Sequence, residues 1–164
     1  MIGQQGSSET RQSRSDVRAG DLETPAAPTA LVDKQLAYGF LRVVLGVNIF
    51  LHGFSRLVGE KGAFLAYLSQ KMAHAPLPNF LLPPFAAVLP WVEASIGLLL
   101  LLGLFTRGAL LAGAAVMIVL MAGASLAQDW DVAGIQLIYC CIYFLLLTYR
   151  ERNSCSFDKW LRIG

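Results

Sequence analysis

An apolar stretch from Leu36 to Val58 is long enough to cross a bilayer, yet it carries several polar side chains. Arg42, Asn48, His52 and Arg56 fall within one arc of about 120°, because each residue of an α-helix advances by about 100°. Polar side chains of a membrane helix face protein or a water-filled cavity rather than lipid. This stretch therefore requires neighbouring helices against which its polar arc can pack.

Glycines lie beside this polar arc at a heptad spacing. They are Gly39, Gly46 and Gly53. A helix with small residues along one side lets the backbone of a neighbouring helix approach closely. The spacing therefore predicts that a second helix packs tightly along this side of the first.

Three further apolar runs supply candidate neighbours. They cover residues 85–105, 109–127 and 132–149, each close to the roughly 20 residues that cross a hydrocarbon core. The chain of 164 residues has room for one domain, and its apolar fraction of 55% is high for a soluble protein. The sequence therefore predicts an all-α membrane protein, an antiparallel four-helix transmembrane bundle over residues 34–160 with its first span at 36–58.

The segments outside the spans are polar or rich in proline. Residues 1–33 carry mixed charges and no apolar core, which predicts a disordered tail and excludes a cleavable signal peptide. Residues 61–74 place apolar side chains at helical spacing, so they could form an amphipathic helix on the membrane surface or a loop helix packed on the bundle. The prolines that follow predict an extended return into the bilayer; they are Pro76, Pro78, Pro83 and Pro84.

Basic residues determine the expected orientation of the four spans. Most of them fall on the same side as both termini: Arg11, Arg14, Arg18, Lys34, Arg107, Arg150, Arg152, Lys159 and Arg162. The opposite side holds only Arg56, Lys61 and Lys71, together with the acidic Asp129 and Asp131. Cytoplasmic loops of membrane proteins carry an excess of lysine and arginine. We therefore expect both termini in the cytoplasm and the spans in the bacterial inner membrane.

Glu93 is the only acidic residue within the four predicted spans. A rise of about 1.5 Å per residue puts Glu93 about 12 Å and His52 about 9 Å from the outer ends of their helices, whereas Arg42 lies about 24 Å from that end. His52 is therefore the expected direct partner of Glu93. The two side chains could transfer a proton to and from a bound quinol, or they could form a buried polar clasp between the helices.

Other polar groups in the spans allow more than one interpretation. Gln136, Tyr139 and Tyr143 share one face of the last span, where they could line a quinone pocket or simply pack. Bis-histidine haem ligation is disfavoured because the second histidine, His74, belongs to a loop, and no metal-ligand spacing occurs. The three cysteines lack a CxxC spacing, and we expect no nucleic-acid partner because the chain has no patch for one.

Two motifs resemble the signatures of the DoxX family of small four-span membrane proteins. They are RVVLGVNIFLHGFSR at residues 42–56 and VEASIGLLLLLGLFTR at residues 92–107. Members of the family typically have a lysine where this chain has Arg56. The terminal Ser156-Phe157-Asp158 is similar to a Ser-Leu-Asp ending that is common in the family. The resemblance implies a four-helix membrane bundle over roughly residues 36–160.

The resemblance also implies a link to quinones. The family takes its name from a subunit associated with a terminal quinol oxidase, and related proteins resemble subunits of thiosulfate:quinone oxidoreductase. We expect a quinone-associated subunit of a membrane oxidoreductase complex, with a protein partner subunit, the lipid bilayer and a second copy of the chain as candidate partners. The alternative is a non-enzymatic anchor or assembly partner for a soluble redox enzyme. The candidate catalytic residues are His52 and Glu93, and the candidate quinone contacts are Arg42, Arg56, Gln136 and Tyr139.

Chemical labelling tests the expected orientation. A cysteine introduced as Gln70→Cys should react with a membrane-impermeant thiol reagent added outside intact cells, because residue 70 follows an outward-facing span end. The natural Cys155 should react only after the membrane is opened. Labelling of Cys155 but not of residue 70 in intact cells would reverse the predicted orientation.

Overall fold

The structure, a computed structural model, describes residues 28–60, 62–153 and 158, and the regular secondary structure of these segments is helical. Four helices are long: α1 (Pro28–Val58), α3 (Leu82–Leu102), α4 (Thr106–Leu126) and α5 (Trp130–Thr148). A shorter helix, α2 (Ala63–Lys71), follows α1, and single 3-10 turns cover Asn79–Leu81 and Arg150–Arg152. By internal contacts the chain divides between Asp33 and Lys34, and the packing described below lies within the second unit.

The long helices confirm the predicted fold class. Each is long and apolar enough to cross a membrane, and they pack antiparallel. The structure thus gives a multi-pass membrane bundle with four candidate spans, while its orientation stays a prediction. The predicted disordered tail, as far as residue 27, lies outside the described residues.

All four long helices begin before the residues predicted from the sequence. Helix α1 begins at Pro28 instead of residue 36, and α3 begins at Leu82 instead of residue 85. Pro83 and Pro84 therefore lie in the first turn of α3, and the prediction that they form part of an extended return is wrong. Proline fits the first turn because the amides there have no partner within the helix and its fixed φ is already helical.

The ends of the remaining helices are set by local backbone geometry. Helix α3 ends where Gly103 adopts a φ of 66°, a left-handed conformation that glycine takes without strain. Helices α4 and α5 each begin before the predicted residues 109 and 132. At α5 the Asp129 side chain accepts a hydrogen bond from the Val132 amide at 3.3 Å, which satisfies one of the free donors of the first turn. The short connections follow from these caps.

Close contact between α1 and α3 depends on glycines from both helices. A Cβ atom at Gly53 would lie 2.5 Å from the Pro90 carbonyl oxygen, and one at Gly46 would lie 2.9 Å from the Leu101 amide nitrogen. On α3, Gly97 packs against the backbone of Phe50. The predicted close approach is confirmed for Gly46 and Gly53. It does not extend to Gly39, around which no described atom lies within 4 Å of an added Cβ.

Apolar side chains from all four long helices meet in one core. Tyr143 of α5 is almost fully buried, with its ring against Gly113 of α4 where no methyl group would fit. The core consists of Tyr38, Leu45, Ile49, Ile96, Leu100, Ala109, Leu110, Met117, Tyr143 and Leu146. Because lipid is as apolar as these side chains, such a bundle is stabilised by close packing more than by removal of apolar surface from water.

Helix α2 packs on the bundle through contacts with α3. It buries Leu68 and leaves Tyr67, Ser69 and Gln70 exposed. The sequence left open whether this segment lies on the membrane surface or packs on the bundle. The structure shows the packing, which places α2 over one end of the α1–α3 contact.

Substitution of the glycines in α1 tests the packing against α3. Gly53→Ala should destabilise the bundle by about 1–3 kcal/mol, because the methyl group overlaps the α3 backbone and neither helix can yield without losing contacts. Gly39→Ala is the matched control, since an alanine there meets open space and gains helix propensity. Thermal unfolding in detergent should show a lower Tm for Gly53→Ala alone. Equal melting temperatures would contradict the packing.

Candidate functional site

The central polar contact of the bundle joins Glu93 of α3 to Arg56 in the last turn of α1. The Arg56 Nη1 group donates a hydrogen bond to Oε2 of Glu93, and the two side chains form a salt bridge. Glu93 is only 3% exposed, whereas the Arg56 side chain is 26% exposed. A carboxylate at this depth is costly unless it is paired and hydrogen-bonded, and Arg56 supplies both requirements.

The structure corrects the predicted pairing of Glu93 with His52. Gly53 faces α3, and Arg56 lies about 60° from Gly53 around the helix, whereas His52 lies about 100° away on the same side and so farther from the contact. His52 is accordingly exposed, although it remains within electrostatic reach of Glu93. The depth of its Cα atom along the helix favoured His52. The arginine side chain is long enough, however, to span the greater difference in depth between Arg56 and Glu93.

Helix α2 covers the Arg56 side of this ion pair. The guanidinium carbon of Arg56 lies 4.4 Å from the centre of the Phe64 ring. This is a cation–π geometry, in which the ring face attracts the positive charge. Arg56 is therefore held between an acid on α3 and an aromatic ring on α2.

A second ion pair ties α2 to the turn between α4 and α5. The Lys71 Nζ atom lies 2.6 Å from Oδ2 of Asp129. This hydrogen bond raises the pKa of Lys71 above its usual range and lowers the pKa of Asp129 below its usual range. Both groups therefore stay charged around neutral pH. Since Lys71 is exposed and Asp129 is only half-buried, this ion pair contributes more to the position of α2 than to the stability of the bundle.

A cavity of about 410 Å³ lies beside the ion pair. Its wall includes Arg56 and Phe64 on one side and Pro90 and Trp91 of α3 on the other, and Leu57 and Leu65 add apolar surface. This volume is in the range of small-molecule sites, which are mostly apolar with a few placed polar groups. Within the described segments no three His, Cys, Asp or Glu side chains come together as a metal site.

The other predicted site residues lie apart from this cavity. Tyr139 donates a hydrogen bond to Oδ1 of Asn48 at 2.7 Å, which joins α5 to α1. Arg42 is buried and lies within electrostatic reach of Tyr38. Gln136 is half-buried, and its Oε1 atom has no hydrogen-bond partner among the described residues. The structure therefore brings Arg56 and Glu93 together, whereas Arg42, Gln136 and Tyr139 line neither the cavity nor the ion pair.

Asp158 has a structural function that the sequence analysis missed. Its carboxylate accepts hydrogen bonds from the Phe105 amide at 2.6 Å and the Thr106 amide at 2.7 Å. Asn153 Nδ2 donates to Thr106 Oγ1 at 3.1 Å. An acidic side chain at a helix start satisfies free amides and interacts favourably with the helix dipole. The sequence signal for this function is the Ser156-Phe157-Asp158 ending, from which a family resemblance was inferred but no contact was predicted.

A double-mutant cycle tests the Glu93–Arg56 contact. Arg56→Leu should destabilise the bundle by about 3 kcal/mol, since it leaves a buried acid without its partner. Glu93→Leu should cost less because Arg56 can turn toward water. The double variant should be more stable than the summed single losses predict, as judged by thermal unfolding in detergent.

The same cycle with His52→Leu and Glu93→Leu is the matched control. His52 is exposed and makes no described hydrogen bond to Glu93, so its effects should add to those of Glu93→Leu. If the losses of stability add for Arg56→Leu with Glu93→Leu but do not add for His52→Leu with Glu93→Leu, then Arg56 is not the partner of Glu93.

Comparison with models of protein families supports the resemblance that the two sequence motifs predicted. No curated protein sequence and no solved structure matches the chain. A sequence model of the DoxX family matches residues 38–129, which cover α1 from its buried Tyr38 through the end of α4. The matched region contains both Arg56 and Glu93. The chain belongs to the DoxX family, and it is a membrane protein of that family.

Proposed function

We propose that this protein is a quinone-associated subunit of a membrane oxidoreductase complex, and that the quinone ring binds in the cavity beside Arg56. The observation that carries the proposal is the salt bridge of the buried Glu93 with Arg56, since Arg56 also lines that cavity. An ionisable group kept inside a membrane bundle despite its cost is typically functional. The membership in the DoxX family agrees with a link to quinones.

The residues around the cavity fit the chemistry of a quinone ring. A quinone presents a flat apolar ring with carbonyl oxygens that accept hydrogen bonds. Leu57, Leu65 and Trp91 supply apolar surface for the ring, and the guanidinium of Arg56 has donors beyond the one used by Glu93. The volume of about 410 Å³ admits the ring while the isoprenoid tail remains in lipid.

When bound, a quinone supplies the capacity to take up and release two electrons and two protons. In this arrangement Glu93 would hold a proton at Oε2, next to the cavity. Arg56 favours the ionised acid, so the proton leaves readily when Arg56 is in contact and is retained when that contact loosens. His52, which is exposed and within electrostatic reach, would exchange protons between Glu93 and the aqueous side.

Measurement of co-purified quinone tests this function. The wild-type protein, extracted in mild detergent, should retain quinone, which solvent extraction and chromatography quantify. Arg56→Gln should lower the apparent quinone affinity by about 10-fold to 100-fold, the value of a charged hydrogen bond. Arg107→Gln is the matched control, because Arg107 is exposed and lies outside the cavity. A melting curve of each variant establishes that it is folded.

The result that contradicts the proposal is equally direct. The proposal is wrong if the folded wild-type protein contains no quinone and if deletion of the protein leaves respiratory electron flow unchanged. The anchor function would then be indicated if deletion of residues 1–33 releases a soluble redox enzyme from the membrane.

A further inference from the structure

A second cavity, of about 350 Å³, lies between α1 and the end of α5. Helix α1 contributes Lys34, Tyr38 and Leu41 to its wall, and the end of α5 and the turn after it contribute Leu145, Tyr149 and Arg152. None of these residues lines the cavity beside Arg56. The second cavity is therefore a separate feature of the bundle, and the inference drawn from it does not depend on the proposed quinone site.

The chemistry of this second cavity changes along the helix axes. Leu41 and Leu145 lie well inside the first and last candidate spans, whereas Lys34 lies in the second turn of the first candidate span and Arg152 follows the end of α5. The apolar wall is thus at the level of lipid chains and the basic rim is at the level of headgroups. Tyr149, which is exposed at the end of α5, adds a hydroxyl at the rim.

Charge at the rim favours an anion. Among the described residues that line this cavity, Lys34 and Arg152 are basic and none is acidic. The nearby carboxylate of Asp158 is occupied by the amides of Phe105 and Thr106. Basic pockets between membrane helices bind anionic lipid headgroups through the same combination of charge and position.

We propose that this cavity binds an anionic phospholipid. The phosphate of the headgroup lies against Lys34 and the Tyr149 hydroxyl, with the Arg152 charge at the same rim, and an acyl chain runs along Leu41 and Leu145. A free phosphate ion shares the headgroup chemistry but has no use for the apolar wall. A bound lipid would fill the space between the first and last spans.

Lipid titration of the purified full-length protein in detergent tests this site. Native mass spectrometry should show tighter binding of phosphatidylglycerol than of phosphatidylcholine with the same chains. Lys34→Gln should weaken phosphatidylglycerol binding about fivefold, the effect of one basic residue near a headgroup, and leave phosphatidylcholine unchanged. Lys34 is exposed, so this variant removes charge without disturbing the core.

Two further variants separate the cavity from its surroundings. Arg107→Gln removes an exposed positive charge at another span end on the same side of the bundle, and it should leave phosphatidylglycerol binding unchanged. Ala37→Phe places a ring into the cavity from an exposed position and should weaken the binding of both lipids. Equal binding of the two lipids to wild type, or equal losses for Lys34→Gln and Arg107→Gln, would overturn the proposal.

Inorganic phosphate distinguishes a lipid site from a site for a soluble anion. Millimolar phosphate should not displace phosphatidylglycerol, because the lipid gains affinity from its acyl chain along the apolar wall as well as from its headgroup, and phosphate has only the second contribution. Displacement by phosphate at such concentrations would assign the cavity to a soluble anion and refute the lipid.

Discussion

The ion pair of Glu93 with Arg56 requires α1 and α3 to lie in close contact, because the buried charge of Glu93 could not remain in this part of the bundle alone. Glycine makes that contact possible. Gly53 admits the α3 backbone one turn before Arg56, and Gly97 admits the α1 backbone one turn after Glu93. The small residues and the charged residues therefore depend on one another: the packing brings the charges together, and the pairing offsets the cost of burying the acid.

The polar groups at the two ends of the bundle are satisfied in different ways. Near Glu93, helix α2 covers the ion pair through Phe64 and is itself held by the Lys71–Asp129 contact. At the opposite ends of the spans, Asp158 satisfies the first amides of α4. In each case a segment outside the four long helices reaches the end of a span. It supplies partners for charges or free amides that would otherwise need water.

The two cavities differ in the charged residues of their walls. The cavity beside Arg56 has one cation that is already engaged by an acid, so it suits an uncharged acceptor such as a quinone carbonyl. The described wall of the cavity between α1 and α5 contains two basic residues and no acidic one, so it suits a phosphate.

Hydropathy and spacing determined much of this protein. The apolar runs predicted four spans, the heptad glycines predicted the close face of α1, and a lone acid within a span made Glu93 a candidate site residue. Only the tertiary structure decided that Arg56 is its partner, that Pro83 lies in the first turn of a helix, and that Asp158 caps α4. The physical reason is that sequence periodicity locates residues around and along one helix. The rotation of that helix against its neighbours, and the reach of a long side chain between them, are set by packing of the whole bundle.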